Sequence, residues 1–448
     1  MKTSKFNILS RSEKDPSKFL LYNTLHDHRI VFDASEVNPK VFFQKIEEQL
    51  PLNAEEIQWS HELKEIGVLL EDDQDEQKIF EDWYHEKIRE RSDLMQVTIL
   101  PLMGCNLACH YCFENEVREK GKMSSETTEQ LISWMTQKIE RVRPERLHIS
   151  FFGGEPLLHP TPIHRISQEM FKRCQSLGIQ MEMGMITNGV LLTPELVDSL
   201  IPYGFKWVKI TFDGDKEAHD HKRVFHGGKG TFDIIYDNLS KIHGKLKIAI
   251  GGNFDEENYA SMYSLVERLK QSPFGEDIFI ARFKPIMPMN TDVARQREGG
   301  KISSMCEGCS YSSHQIDQII QLEKKVDAVG FHGSDRPDLG PCEFHLRHSV
   351  TVGPDGNLYK CPAFVGLKNL QAGHVTSIDL NEEGERQVRM KKWAKKCEGC
   401  NFLPNCSGGC RMSTFNRTGN LDSITCDGAF LERATEKFMQ EELEKLIS

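Results

Sequence analysis

The stretch MQVTILPLMGCNLACHYCFE, residues 95–114, joins an apolar, β-branched run to a polar loop that holds three cysteines. Cys105, Cys109 and Cys112 are spaced by four and three positions. A closed zinc site needs a fourth ligand, and His110 lies in the same loop but is poorly placed to supply it. Three thiolates suit a 4Fe–4S cluster that leaves one iron open. We therefore expect a cluster whose open iron binds a small molecule.

Further apolar runs follow along the chain, and segments with helical periodicity lie between them. One such segment is SSETTEQLISWMTQKIERV, which opens with a capping signal at Ser124. This alternation predicts a parallel sheet buried on both faces. Six β/α units over roughly 190 residues predict an α/β fold, an open, partial (β/α)6 TIM-like barrel. The runs are LHISFFGG, IQMEMGMITNG, WVKITFDG, LKIAIGGNF and DIFIARFKPI.

In barrels of this kind the chemistry gathers in the loops after the carboxyl ends of the strands. Each of the first five predicted strands is followed by a short polar or glycine-rich motif. In chain order these are the cysteine loop, GGEP (residues 153–156), TNG (187–189), DG (213–214) and GGNF (251–254). We expect these motifs to meet at one end of the barrel.

Composition excludes several classes of protein. The 448 residues carry a formal net charge of -11, which argues against a nucleic-acid-binding surface. No run of 18 apolar residues is present, and the first residues lack a signal-peptide core, so we expect a cytoplasmic protein without a membrane partner. In a reducing compartment, clustered thiols indicate metal ligands. Cys174 stands alone at helical spacing and is expected to be a small core residue.

Beyond the first loop, nine cysteines form groups in the last third of the chain. They are Cys306 and Cys309 in MCEGC, Cys342, Cys361, then Cys397, Cys400, Cys406 and Cys410 in CEGCNFLPNCSGGC, and Cys426. A zinc ribbon also uses C-x2-C pairs, but so many ligands fit two further clusters better.

The sequence CNLACHYC resembles the C-x3-C-x2-C signature of radical S-adenosylmethionine (SAM) enzymes, with Tyr111 before the last cysteine. FFGGEP is similar to their second motif, Gly153-Gly154-Glu155-Pro156. The resemblance implies that the Gly-Gly-Glu stretch receives the SAM amino group and the backbone at Tyr111 the adenine. Three polar residues are candidates for the ribose or the methionine carboxylate, or alternatively for capping strand ends and turns. They are Thr187, Asn188 and Asp213.

The family's chemistry follows from its cofactor. An electron from the reduced cluster cleaves SAM to methionine and a 5'-deoxyadenosyl radical, which takes a hydrogen atom from an unactivated C–H bond. The resemblance also implies a flavodoxin- or ferredoxin-type electron donor. The protein supplies orientation, exclusion of water and tuning of the cluster potential. No catalytic residues beyond the cluster ligands are expected.

The C-terminal cysteines resemble the SPASM domain, a pattern that binds two auxiliary 4Fe–4S clusters. All seven cysteines of the pattern are present. Its glycine is also present, as Gly356, five positions before the second cysteine, Cys361. The resemblance assigns Cys342, Cys361 and Cys410 to auxiliary cluster I, and Cys397, Cys400, Cys406 and Cys426 to auxiliary cluster II.

Auxiliary cluster I then lacks a fourth ligand. Cys306 or Cys309 is expected to supply it. Two alternatives remain open: the pair leaves the cluster free for a substrate sulfur, or it acts as a redox pair.

The first 90 residues form a separate unit before the radical SAM barrel (91–300) and the SPASM region (301–448). KFLLYNTLHDHRIVF predicts two strands, and two helical segments follow, the second ending at Gly67. This pattern resembles a winged-helix-like RiPP recognition element, in which a leader peptide adds as a strand to the sheet edge. RiPPs are ribosomally made peptides modified after translation. The alternative is a cap that packs on the barrel.

Together these features predict a radical SAM/SPASM peptide maturase. Its partner would be a ribosomal precursor peptide held by its leader, and its product a thioether or another cross-link. The alternative enzyme is an anaerobic sulfatase maturase, which makes formylglycine, but that family carries Cys-Asp where this chain has Cys361-Pro362. A non-catalytic iron–sulfur carrier or zinc scaffold would need neither the open triplet nor GGEP.

Iron content tests the cysteine assignments. Three cubane clusters predict about twelve irons in the reconstituted protein. Replacing Cys105, Cys109 and Cys112 by Ala should leave about eight irons and abolish SAM cleavage, because one cluster is lost. Formation of 5'-deoxyadenosine by the triple variant would contradict the assignment.

Overall fold

The computed structural model describes residues 1–112, 121–288, 304–305, 311–332 and 341–447. Cys306 and Cys309, the candidate ligands or redox pair, lie outside these residues. In the part of the chain that is described, no helix is both long and apolar enough to cross a membrane.

The N-terminal unit contains the two predicted strands and both predicted helices. A further strand, unexpected from the sequence, extends the hairpin to a three-stranded antiparallel sheet in the order β2-β3-β4. The elements are β1 (Lys2–Thr3), β2 (Asn7–Arg11), β3 (Lys18–Asn23), β4 (His28–Asp33), α1 (Pro39–Glu47), α2 (Ala54–Glu65), β5 (Leu69–Leu70) and α3 (Glu76–Trp83), which continues as a π-helix, Tyr84–Arg89.

The six predicted barrel strands are confirmed. Strands β6 to β11 lie side by side in chain order, and every neighbouring pair is parallel. The short helix α7 was not expected. The elements are β6 (Leu94–Ile99), α4 (Ser125–Val142), β7 (Arg146–Phe151), α5 (Pro160–Leu177), β8 (Gln180–Thr187), α6 (Pro194–Leu200), β9 (Phe205–Thr211), α7 (Lys216–Lys222), α8 (Phe232–Lys241), β10 (Lys247–Phe254), α9 (Tyr259–Lys270) and β11 (Ile278–Pro285).

Alternation along these strands separates a helix-facing core from the barrel lumen. Val97 and Ile149 belong to the large core cluster shared with the surrounding helices. Gln96 and His148, their neighbours in sequence, line a cavity inside the barrel. The Ser124 hydroxyl accepts the Thr127 N–H at 3.0 Å and starts α4, as its capping signal predicts.

The C-terminal region extends the barrel sheet instead of forming a detached unit. Strand β14 pairs in parallel with β6, and β15 and β16 continue the sheet in antiparallel pairs. The resulting nine-stranded order is β11-β10-β9-β8-β7-β6-β14-β15-β16. The elements are β12 (Met287–Pro288), β13 (Ser304–Met305), α10 (Ser313–Ala328), β14 (Val350–Val352), β15 (Asn357–Tyr359), β16 (Gly373–His374), α11 (Glu382–Arg389), α12 (Leu403–Cys406), α13 (Arg411–Thr418) and α14 (Gly428–Ile447).

The N-terminal sheet is buried on both faces, and the two faces have different partners. Phe19 and Leu21 of β3 pack in the cluster formed with α1 and α2. Leu20 and Tyr22 pack against α14, the last helix of the chain. The Tyr22 and Phe438 rings lie 5.3 Å apart. Strand β3 and helix α14, which lie more than 400 positions apart in the sequence, therefore share one core.

Cys174 is a test case for telling a core cysteine from a cluster ligand. It is 1% exposed on α5 and belongs to the main apolar cluster, which confirms the core prediction, and burial raises its pKa to about 12.

Cys174→Ala should lower the free energy of unfolding by about 1 kcal/mol and leave the iron content unchanged. Chemical denaturation and iron analysis check this. Cys112→Ala is the matched control and should lose iron; iron loss in Cys174→Ala would contradict a purely structural role.

Candidate active site

The cysteine loop, residues 104–112, follows β6 and has an apolar wall. Leu107, Cys109 and Tyr111 are buried and pack together, and the other two thiols of the loop lie against them. The Ala108 N–H donates to the Val224 carbonyl at 2.8 Å and fixes the loop to the segment after α7. The thiols are therefore held at the edge of a region that excludes water.

Two glycines bring the second motif into contact with the cysteine loop. Gly153 has a φ of +124°, a conformation that L side chains rarely adopt. A Cβ on Gly154 would overlap the carbonyl oxygens of Met103 and Gly104. The Glu155 N–H donates to the Gly104 carbonyl at 2.9 Å. Only glycine allows the GGEP loop to approach this closely.

Glu155 ties the second loop to the third. Its carboxyl group has no solvent exposure. It accepts the Thr187 hydroxyl at 2.7 Å, the Asn188 N–H at 2.8 Å and the Leu157 N–H at 3.0 Å. Burial raises the pKa of Glu155, while these hydrogen bonds act in the opposite direction. The carboxyl group thus serves as a buried connection between loops.

Tyr111 anchors a second network at the ends of the fourth and fifth strands. Its hydroxyl donates to the buried Asp213 carboxylate, and the Arg223 guanidinium donates to the Tyr111 oxygen at 2.8 Å. The Asn253 N–H donates to Asp213 at 2.7 Å. Burial raises the pKa of Tyr111 well above its usual value, so the hydroxyl keeps its proton and remains a donor.

These loops enclose a cavity of about 300 Å³. Its wall contains the three thiols, four glycines and four cationic side chains. Among the described residues, no carboxylate lines it. The lining residues are Cys105, Cys109, Tyr111, Cys112, Phe152, Gly153, Gly154, Ile186, Thr187, Asn188, Lys209, Thr211, Arg223, Gly251, Gly252, Asn253, Arg282 and Lys284.

Most residues predicted for SAM meet at this cavity. Tyr111, both glycines, Thr187 and Asn188 line it. Three do not: Glu155 and Pro156 lie behind the glycine pair, and Asp213 is covered by Tyr111. These three belong to the support of the site.

Four cationic lining residues were not predicted from the sequence. Lys209, Arg282 and Lys284 occupy alternate, inward positions of predicted strands, a signal that was available. Arg223 follows α7, a helix that was not predicted. These four side chains give the cavity its positive charge. Asn253, which also lines the cavity, lies in the predicted GGNF motif but was not named as a site residue.

The cysteine loop fits a cluster better than a single ion. The Leu107 N–H lies 3.4 Å from the Cys105 Sγ, and the Asn188 amide nitrogen lies 3.8 Å from it. Such N–H···S bonds tune cluster ligands. Within the described residues, no three His, Cys, Asp or Glu side chains converge closely enough for one ion. A cubane does not need this, because each thiolate binds a different iron.

The C-terminal cysteines fall into two neighbourhoods. An ionised Cys397 or Cys426 would raise the pKa of the Cys400 thiol, and an ionised Cys400 or Cys397 would raise that of the Cys406 thiol, so these four cysteines lie near one another. An ionised Cys410 would likewise raise the pKa of the Cys342 thiol. Cys361 and Cys410 pack against one apolar cluster.

Cys361 also opens toward the lumen. It lines a second cavity of about 330 Å³ inside the barrel, together with Glu343, Glu182 and Trp207. Phe152 and Ile186 line both cavities. The cavity at Cys361 and the cavity at the cysteine loop therefore adjoin, with Phe152 and Ile186 between them.

Two buried donors near these cysteines support cluster binding there. The Ser413 hydroxyl, one turn after Cys410, and the Trp393 indole N–H, in the cluster that contacts Cys397, have no hydrogen-bond partner among the described residues. Buried donors are normally paired. Sulfur atoms of bound clusters would give them acceptors.

Comparison with known families identifies the central region. Residues 99–269 match the Radical SAM superfamily. This segment contains the cysteine loop, GGEP and four of the six barrel strands, β7 to β10. The chain therefore carries a radical SAM domain, the domain of an enzyme family with oxidoreductive chemistry, and this implies SAM and a 4Fe–4S cluster.

Several proteins are similar over much of the chain. The serine-type anaerobic sulfatase-maturating enzyme of Bacteroides thetaiotaomicron is 25% identical over 355 residues, 70% of this chain and 82% of the relative. The radical SAM cyclopropyl synthase TigE of Paramaledivibacter caminithermalis is 25% identical over 412 residues, 82% and 79%. The crystal structure of Streptococcus suis SuiB bound to S-adenosylmethionine has a TM-score of 0.52 at 15% identity and covers 96% of this chain and 99% of SuiB. SuiB is also known bound to the precursor peptide SuiA.

Because the GGEP loop and the cysteine loop touch at Gly154, we expect a substitution there to lower both stability and SAM affinity. Gly154→Ala should lower the free energy of unfolding by roughly 1–3 kcal/mol, because the added methyl group overlaps backbone. It should weaken SAM binding by about tenfold or more, since the cavity wall moves. Calorimetry with SAM and chemical denaturation check both. Gly121→Ala is the control, because only the Pro354 side chain approaches its Cβ, at 3.8 Å. Equal SAM affinity in both variants would contradict the contact's role.

Proposed function

We propose that this protein is a radical SAM/SPASM peptide maturase that modifies a ribosomally made precursor peptide. Cys105, Cys109 and Cys112 would hold a 4Fe–4S cluster, and SAM would bind beside it in the cavity that they line. When bound, the two cofactors supply a 5'-deoxyadenosyl radical that takes a hydrogen atom from the peptide. The product is a cross-link, with a thioether from a substrate cysteine as the first candidate and a carbon–carbon or carbon–oxygen bond as the second.

The main support for a peptide substrate is the open edge of the N-terminal sheet. Strand β4 is the outer strand of this sheet among the described residues. The opposite edge, β2, is capped by α14, because the Gln440 side chain donates to the Arg11 carbonyl at 2.8 Å and to the Ser10 hydroxyl at 2.9 Å. Val31 of β4 and Val41 of α1 are exposed apolar residues beside the open edge. A leader peptide added as a strand would gain main-chain hydrogen bonds and cover them.

The coverage by SuiB supports this assignment. SuiB covers 96% of the chain, which leaves far fewer uncovered residues than the N-terminal unit contains. The alignment with SuiB therefore extends into that unit, which supports the proposal. The sulfatase-maturating relative covers 70% of this chain. A protein known bound to a precursor peptide thus resembles this chain over its whole length.

The lumen suits an extended peptide segment. Lys209, Arg282 and Lys284 line the cavity at the cysteine loop, and Glu182 and Glu343 line the second cavity. A buried peptide backbone needs hydrogen-bond partners along its length. Polar walls of both signs supply such partners, and the shared wall at Phe152 and Ile186 separates the two ends.

The residues of the chain have separate tasks in this proposal. Tyr111 and the glycine pair form the wall against which SAM lies. Thr187 and Asn188, held by Glu155, orient polar groups toward the same space. The C-terminal cysteines hold auxiliary clusters I and II, and a flavodoxin- or ferredoxin-type protein delivers electrons.

The alternative function is an anaerobic sulfatase maturase. The similarity to the Bacteroides thetaiotaomicron enzyme favours it. Pro362, where that family carries Asp, weighs against it, as does the N-terminal sheet. The two products differ chemically. Cross-linking removes two hydrogen atoms and leaves no aldehyde, whereas formylglycine reacts with hydrazine probes.

The product test uses the full chain, reconstituted and reduced, with SAM. The candidate precursor is the peptide encoded by a short open reading frame beside the gene; a sulfatase peptide containing Cys or Ser is the comparison. A precursor lighter by two hydrogens in mass spectrometry supports the proposal. Modification of the sulfatase peptide alone, with hydrazine reactivity, would establish the alternative.

The edge strand can be tested without removing the N-terminal unit, which would uncover α14. Alternate N–H groups of a strand point to opposite sides, so one of Ile30→Pro and Val31→Pro leaves the ladder to β3 intact. The variant that keeps the wild-type melting temperature should bind the precursor about tenfold more weakly, because an outward N–H is lost. Fluorescence anisotropy measures this, and peptide-free SAM cleavage should stay unchanged. Val41→Ala, on α1, is the side-chain control. Wild-type affinity in the well-folded proline variant would favour a packing cap.

A further inference from the structure

Three buried cations surround the cysteines assigned to auxiliary cluster I. Lys360 and Lys392 have no exposed surface, and Arg411 is 2% exposed. Burying such a charge costs several kcal/mol unless an opposite charge offsets it. None of the three forms an ion pair with a carboxylate among the described residues. The fold therefore concentrates positive charge here without a salt bridge to these three side chains within the described ranges.

Their hydrogen bonds go to backbone carbonyl groups. Lys360 donates to the carbonyls of Leu346 and Ser349, both at 2.5 Å. Lys392 donates to the carbonyls of Gln387 and Val388 at 3.0 and 3.1 Å. Carbonyl oxygens satisfy the donors but carry only partial charge. The full charge of each ammonium group remains to be balanced.

Arg411 follows the same pattern. It donates to the carbonyls of Leu421 and Ser423 at 3.1 and 2.9 Å. It directly follows Cys410, one of the cysteines assigned to the cluster.

Both lysines also lie near assigned ligands: Lys360 directly precedes Cys361, and the Lys392 ammonium group lies 5.4 Å from the centre of the Phe344 ring, two residues after Cys342. Burial lowers the pKa of both lysines, and neighbouring cations lower it further. The buried His345 ring adds no negative charge and lies 2.6 Å from the Tyr84 hydroxyl. An anion bound at Cys342 would complete this arrangement.

We infer that Lys360, Lys392 and Arg411 form the countercharge of a cluster bound by Cys342, Cys361 and Cys410, and that they raise its reduction potential. Net charge and local hydrogen bonding set the potential of an iron–sulfur cluster. Reduction adds a negative charge, so nearby cations favour the reduced form. This inference rests on the proposed function, because it assumes auxiliary cluster I.

Lys392 allows the cleanest test, because it is not adjacent to any cysteine and its neighbour is a matched control. Lys391 carries the same charge but is 51% exposed and pairs with Glu398 at 2.8 Å. Lys391→Met removes a screened surface charge, whereas Lys392→Met removes a buried one. Any general effect of losing a lysine appears in both variants.

The experiment measures the midpoint potential of each cluster in the fully reconstituted, full-length protein by electron paramagnetic resonance during redox titration. In Lys392→Met, one auxiliary potential should fall by at least the equivalent of a tenfold change in the reduction equilibrium constant, which is 59 mV for one electron. Lys392→Arg and Lys391→Met should keep the wild-type value. Lys360→Met should shift the same signal as Lys392→Met. Unchanged potentials in both Met variants would overturn the inference.

Cluster loss is also informative. If Lys392→Met loses about four irons and Lys392→Arg keeps them, charge is required to hold the cluster and the inference stands. If the Arg variant loses them equally, side-chain shape decides and the inference is wrong. If the wild-type protein binds no iron at the C-terminal cysteines, the proposed cofactor set itself fails, an outcome distinct from full iron with unchanged potentials.

Discussion

One buried carboxyl group, that of Glu155, fixes the end of the barrel where the chemistry gathers. The backbone N–H of Glu155 donates to the cysteine loop, and its carboxylate oxygens accept hydrogen bonds from the loop after β8. With no water available to replace a lost donor, each partner must stay in place. The close approach at Gly154 and the position of the Asn188 amide beside Cys105 both follow from this constraint.

The continuous sheet also fixes the C-terminal region relative to the barrel. Because β14 pairs with β6, the segment carrying Cys361 is joined by main-chain hydrogen bonds to the strand that leads into the cysteine loop. Sites supported by regular elements hold their geometry better than sites on free loops. The two groups of thiols are therefore fixed relative to one lumen, so a bound substrate can face both without any domain movement.

Local patterns predicted the six barrel strands, the start of α4 and the core position of Cys174, because periodicity and capping act within a few residues. The β14–β6 pair joins residues about 250 positions apart, and no local signal specifies it. Arg223 was missed with the short helix that precedes it. Lys392 reads as one more surface charge in the run KKWAKK, and only the packing around it reveals a buried ammonium. The domain boundaries and the individual roles of the predicted ligands remain predictions.

The pairing of the N-terminal sheet with α14 also orders events during synthesis. Leu20 and Tyr22 are synthesised about 400 residues before Phe438, Met439 and Leu443, which cover them. Until α14 has been made, the sheet has one covered face and one bare apolar face, and exposed apolar surface on a nascent chain promotes aggregation. Aggregation of the growing chain is therefore suppressed only once α14 docks on the sheet.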